Sequence, residues 1–140
     1  MEIPAKIGRH EVWVTGEIVG VHWKGPISRD DFVVLRKIFA TVIAERGACY
    51  LVSDMNECTA FETQARKFLA DWGRDGTEKV NGTAVYGVNF AMRSLITLAV
   101  KAVKFIGKYE GSEITFVKDE AEAMLYIAAR RAAIAAGAPV

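Results

Sequence analysis

Residues 9–15 and 17–24 alternate between polar and apolar side chains, and Thr15-Gly16 between them supplies a residue that tolerates positive φ, which predicts a β-hairpin. With Thr15 and Gly16 as the turn, Val12 is expected opposite Val19 and Trp13 opposite Ile18. One face then carries Val12, Val14, Val19, Val21 and Trp23 and is core-like. The other carries Arg9, Glu11, Trp13, Ile18, His22 and Lys24, so Trp13 and Ile18 are expected either as an exposed pair or under a helix.

Gly25-Pro26-Ile27 is expected to break the strand. Ser28, with Asp31 behind it, supplies an N-cap and first-turn negative charge for a helix to about Arg46, whose apolar positions Phe32, Leu35, Phe39, Val42 and Ile43 fall on one face. Gly47 ends it. Cys49-Tyr-Leu-Val-Ser53 reads as a short central strand covered on both faces. Thr59-Ala-Phe-Glu62 fits a capping box, which starts the next helix at Ala60 with Phe61, Ala65, Phe68, Leu69 and Trp72 as its apolar stripe. Residues 82–90 read as a buried strand, and 91–107 as a helix with Met92, Leu95, Ile96, Ala99, Val103 and Ile106 on one face, widened by Leu98 and Phe105. Arg93, Ser94, Thr97, Lys101, Lys104 and Lys108 form a basic stripe opposite. A strand at 113–117 and a helix opened by Asp119-Glu-Ala-Glu122 and ending in Arg130 and Arg131 complete the chain. The order ββαβαβαβα predicts an α/β domain spanning 1–140, with a single mixed sheet of about five strands, mostly parallel and antiparallel at the hairpin.

Composition narrows the function classes. A chain of 140 residues with 51% hydrophobic and 25% charged residues is one globular domain, and 18 Lys+Arg against 17 Asp+Glu lacks the basic excess of a general nucleic-acid binder. No signal-peptide pattern opens the sequence, so a cytoplasmic location is expected. The longest apolar run, 95–106, is interrupted by Lys101 and Lys104 and is too short to span a bilayer. Cys49 and Cys58 have no CxxC context and no nearby His, so reduced thiols are expected rather than a metal site.

Catalytic chemistry is sparse. There is no Gly-rich phosphate loop, no carboxylate pair at catalytic spacing and no Ser/His or Cys/His arrangement, so neither an enzyme nor a cofactor is expected. His10 and His22 point to opposite faces of the hairpin and are expected at the surface or a strand edge. Cys58, just ahead of a helix start, is the one candidate for an activated thiol. A phosphate on Thr59 would sit at a helix N-terminus, where amide groups favour negative charge.

The step Gly25-x-Ile27-Ser28, the strand Tyr50-Leu-Val-Ser-Asp54 before a helix, and the ending Ile114-Thr-Phe-Val-Lys-Asp-Glu-Ala-Glu-Ala-Met-Leu125 together resemble the STAS domain of sulphate transporters and anti-sigma-factor antagonists. The stand-alone bacterial STAS-like proteins related to the lipid-binding Sec14 (CRAL-TRIO) fold look nearest. The resemblance implies a non-enzymatic module. In the antagonists a serine of an Asp-Ser-Ser-Gly-like segment is phosphorylated by a partner kinase; here Asn56-Glu-Cys-Thr-Ala-Phe-Glu-Thr-Gln64 has neither Asp-Ser nor Gly, leaving Thr59 and Thr63 as stand-ins.

The leading expectation is a protein-binding regulatory module docking through Asp54, Met55, Asn56, Glu57, Cys58, Thr59 and Phe61 and the helix behind them. The alternative is a lipid or small-molecule carrier with a pocket beside the 92–108 helix, using Trp13, Ile18, Leu98 and Phe105 as surplus apolar surface. A homodimer through the hairpin edge is a further expectation.

Overall fold

The computed structural model describes residues 3–105 and 114–138, the side chains of 99–105 excepted. Its elements are β1 (Lys6–Ile7), β2 (His10–Thr15), β3 (Ile18–Ile27), α1 (Arg29–Arg46), β4 (Tyr50–Phe61), α2 (Thr63–Asp75), β5 (Thr83–Tyr86), α3 (Phe90–Phe105), β6 (Ile114–Phe116) and α4 (Glu120–Ala135). The strands form one six-stranded sheet in chain order, β1 to β6, with β1, β2 and β3 antiparallel and β3 to β6 parallel. The expected architecture is therefore present with an extra short edge strand, β1, too brief to register as an alternating run.

Chain order dictates the layers. Each crossover from β3 to β6 moves one strand in the same direction, and right-handed crossovers then put α1, α2 and α3 on one face. That face buries Trp23, Leu35, Phe39, Met55, Trp72, Val85 and Ile96 in the main core. The opposite face is left to α4, which covers only part of it, burying Ile18, Tyr50, Val52 and Ala84 under Ala123 and Ile127.

The caps of α1 are as the sequence predicts. Ser28 Oγ accepts from Asp31 N, Asp31 Oδ2 accepts from Ser28 N, and Gly47 closes the helix at φ 82°. Asp31 also takes Nε2 of His10 at 2.9 Å, while Nδ1 of His10 accepts the Lys24 amide at 2.8 Å. His10 is buried rather than at the surface, because this pairing lets it tie β2, β3 and the start of α1 together. The histidines do lie on opposite faces: His10 packs edge-on to Trp23 in the main core, and His22 borders the cleft on the other side.

Several expected boundaries move. The hairpin pairs Thr15 with Ile18, so Gly16 (φ 60°) and Glu17 form the turn and Trp13 lies opposite Gly20 instead of Ile18. Gly20 makes that register possible: a Cβ there would sit 1.9 Å from the Trp13 ring. Ile18 is buried beneath α4 and Trp13 half-buried beside it, so they are not an exposed pair, which removes the reason given for self-association at this edge. Gly25-Pro26-Ile27 does not break β3. Gly25 adopts φ 75° and the strand continues to Ile27, pairing with β4 as far as Phe61 through two register shifts. This pairing takes Thr59 into the strand, so the Thr59–Glu62 capping box does not form and α2 starts at Thr63, with Glu62 as an N-cap lacking a side-chain bond. The strand expected over 82–90 is only Thr83–Tyr86, and α4 runs past Arg130 and Arg131 to Ala135. Met92 and Ile96 face the core as expected, whereas Ala99, Lys101, Val103, Lys104, Phe105, Ile106 and Lys108 have side chains outside the described residues.

Candidate functional site

Beyond Asp54, β4 outgrows β5 and keeps only β3 as a partner among the described residues. The segment expected to join a strand ending at Ser53 to a helix starting at Ala60 is thus half of a two-stranded ribbon at the carboxyl end of the parallel strands, in front of α2. Its register shifts, at His22/Lys24 and Gly25/Pro26, are bulge-like irregularities of the kind that re-aim side chains.

Strand geometry sorts the expected contact residues. Met55 and Phe61 point into the core, Phe61 packing 5.5 Å from the Phe32 ring, so they are not available to a partner. Asn56, Glu57 and Thr59 are exposed. Asp54 Oδ1 accepts from the Asn56 amide and side chain at 2.9 and 2.8 Å, and the Asn56 side chain lies over Gly87, where a Cβ would come within 2.6 Å. Cys58 is half-buried, its thiol donates to the Ala60 carbonyl, and burial pushes its pKa up. Because Cys58 sits in a strand and not ahead of a helix, no helix N-terminus lowers that pKa, and the activated-thiol expectation is corrected.

On the face that α4 leaves open, a cleft of about 480 Å³ runs across β2, β3 and β4, lined by Glu11, Trp13, His22, Asp54, Tyr86 and Glu120 among others. His22 Nε2 lies 2.6 Å from Glu57 Oε2 and 3.9 Å from Asp54 Oδ2, and Lys24 Nζ donates to Glu11 at 2.7 Å. Burial, then the charges of Asp54 and Glu120, push Tyr86 up to about 12. Its phenol stays protonated at neutral pH.

The two candidate phosphoacceptors have different surroundings. Thr59 is exposed in mid-strand. Thr63 is the exposed first residue of α2, where no side chain caps the helix and the first turn holds no acid. Arg66 Nη2 donates to the Thr63 hydroxyl at 3.1 Å, while the buried Arg66 Nε has no hydrogen-bond partner.

Between β4, β5 and the three helices lies an apolar cavity of about 130 Å³, with Trp23, Phe32, Leu51, Met55, Leu69, Trp72, Val85 and Ile96 among its walls. Ser53 and Thr83 also line it, and Glu78 is held by Arg36 at 2.9 Å. Trp13, Ile18 and Leu98 are not part of this lining: Trp13 and Ile18 pack together on the α4 face, Leu98 is exposed on α3, and the Phe105 side chain lies outside the described residues. The sequence reading missed Ser53 and Thr83, whose signal is a hydroxyl at a core-facing strand position. It also missed Arg66, one turn from Thr63, and the His22–Glu57 contact, which depends on parallel register.

No protein-family model matches the sequence, nor does any curated protein sequence. Solved structures do. The chain is similar to the anti-sigma factor antagonist SpoIIAA in its unphosphorylated form, with TM-score 0.54 and 13% identity over 85% of this chain and 97% of that one. A DUF3478-family protein with a SpoIIAA-like fold from Shewanella loihica PV-4 aligns with TM-score 0.57 and 13% identity over 84% of this chain and 90% of that one. An anti-sigma factor antagonist from Mycobacterium paratuberculosis gives 0.50 and 16% over 85% and 92%. Identities this low establish architecture only: the chain has a STAS-like domain fold of the SpoIIAA type.

Proposed function

We propose that this protein is a non-catalytic regulatory module that binds another protein through the free edge of β4 between Asn56 and Ala60 and the adjoining start of α2. The observation that carries this reading is the outgrowth of β4 beyond β5. A strand edge with no partner strand among the described residues presents amide and carbonyl groups to a partner, although here Asp54 takes the Asn56 amide and the Cys58 thiol the Ala60 carbonyl, and natural proteins usually blunt or cover such edges. Two of the structurally similar proteins are described as anti-sigma factor antagonists, which supports a protein partner. Thr63 is the better-supported charge gate. A phosphate there would meet an uncapped helix N-terminus and Arg66, whereas one on Thr59 would meet only solvent and a strand. The test is photo-crosslinking in the source cells, with a photoreactive residue placed at Thr59 or, as control, at Ala128 on α4. A discrete adduct from Thr59 and none from Ala128 is expected; adducts from Ala128 alone would overturn the assignment of the surface.

A second reading, a small-molecule carrier, is favoured by the cavity. Its volume of about 130 Å³ is far below the roughly 300 Å³ of the smallest usual drug-sized pockets, which argues against a lipid and for a compact ligand.

A further inference from the structure

We propose that the cavity behind β4 and β5 is a binding site for a neutral, ring-sized molecule bearing one hydrogen-bonding group, of the class of a phenol; this deepens the small-molecule reading and rests on it. The volume of about 130 Å³ is close to that of the roughly 150 Å³ hydrocarbon-lined cavity that stays dry and takes up benzene. The walls are mainly apolar and aromatic, Trp23, Phe32, Leu51 and Trp72 among them, and suit a flat ring.

Two hydroxyls separate this cavity from a simple packing defect. Ser53 and Thr83 stand on neighbouring strands, where Leu51 pairs with Thr83 and Ser53 with Val85, so both side chains point from the sheet towards the helices. Ser53 is 5% exposed and Thr83 6%, and among the described residues neither hydroxyl has a hydrogen-bond partner. Both residues line the cavity, so the hydroxyls are open to an occupant. A ligand hydroxyl can both donate and accept, so it can serve either residue, whereas a pure hydrocarbon leaves both unpaired. A charged ligand is disfavoured, since Glu78 at the cavity wall is already engaged by Arg36 and no other charged side chain is among the described lining residues.

The experiment titrates the intact protein with benzene and with phenol, read by calorimetry and by the shift in melting temperature. The same titrations follow on the Ser53→Ala/Thr83→Val double variant. Phenol is expected to bind the wild type about tenfold more tightly than benzene, the equivalent of one hydrogen bond to a buried hydroxyl. The double variant should keep benzene binding and lose the preference. If benzene binds the wild type and phenol binds no better, the ligand class is overturned while the small-molecule reading stands. If neither binds, both are overturned. The wild-type comparison decides between these without the variant, so a variant that fails to fold does not spare the proposal.

Discussion

Arg66 Nη2 donates to the Thr63 hydroxyl across 3.1 Å, in the first turn of a helix that receives no side-chain cap. A negative charge at position 63 therefore has two favourable partners, the guanidinium and the helix N-terminus. Thr63→Asp should raise unfolding stability by about 0.3–1 kcal/mol at low salt, and Thr59→Asp should give no such gain. Urea denaturation of both variants checks this; equal effects at the two positions would remove the distinction between them.

The Trp13 ring occupies the space a side chain at Gly20 would need, 1.9 Å from an added Cβ. Gly20→Ala should destabilise the protein by about 1–3 kcal/mol, the usual range for forcing a methyl into filled space. Trp13→Ala made together with it should cost less than the sum of the two single changes, because the first removes what the second collides with. A double-mutant cycle measured by denaturation would show additivity if the contact were not the cause.

His10 accepts the Lys24 amide on Nδ1, so the neutral ring must carry its proton on Nε2, where it donates to Asp31. Nitrogen-detected NMR should find this tautomer, and the Nδ1-protonated form would contradict the network. His10→Ala should cost more than about 2 kcal/mol, since it orphans a buried amide and empties a packed site.

Tyr86 is held at about 12, above the 10.0 of a free phenol, by burial first and then by Asp54 and Glu120. The folded protein thus binds this proton more tightly than the unfolded chain. Its contribution to stability is full below pH 10 and is lost as pH rises towards about 12. Cys49, pushed by burial to about 12 from 9.0, loses stability over an overlapping range, so the comparison must isolate the tyrosine. Tyr86→Phe should show a shallower alkaline loss of stability than wild type; parallel curves would contradict the shift.

The element order and most of the core were legible because they depend on local periodicity and caps. Ser28 with Asp31 and Gly47 act as the sequence predicts, and the stripe Ala65, Phe68, Leu69 and Trp72 packs inwards. What failed depends on pairing between distant strands. Thr59 and Glu62 satisfy a capping box on spacing alone, but the pairing of Pro26 and Ile27 with Ala60 and Phe61, and the bond from the Glu62 amide to the Ile27 carbonyl, hold that segment extended, and the helix begins later. The hairpin slipped in register because the space Gly20 gives Trp13 is a tertiary fact, not a turn preference. The same limit hid the site. Ser53 and Thr83 lie 30 residues apart and meet only through the parallel pairing of β4 with β5.

The most direct test of the docking surface is the affinity of the crosslinked partner, once purified, for wild type and for three variants measured side by side by calorimetry. Thr59→Pro, on the exposed β4 edge, and Asn56→Ala probe the surface, and Ala128→Ser on α4 is the control. Docking along β4 predicts at least about a tenfold loss for one or both edge variants and less than about a twofold change for the control. Edge variants that keep wild-type affinity while remaining folded would contradict it.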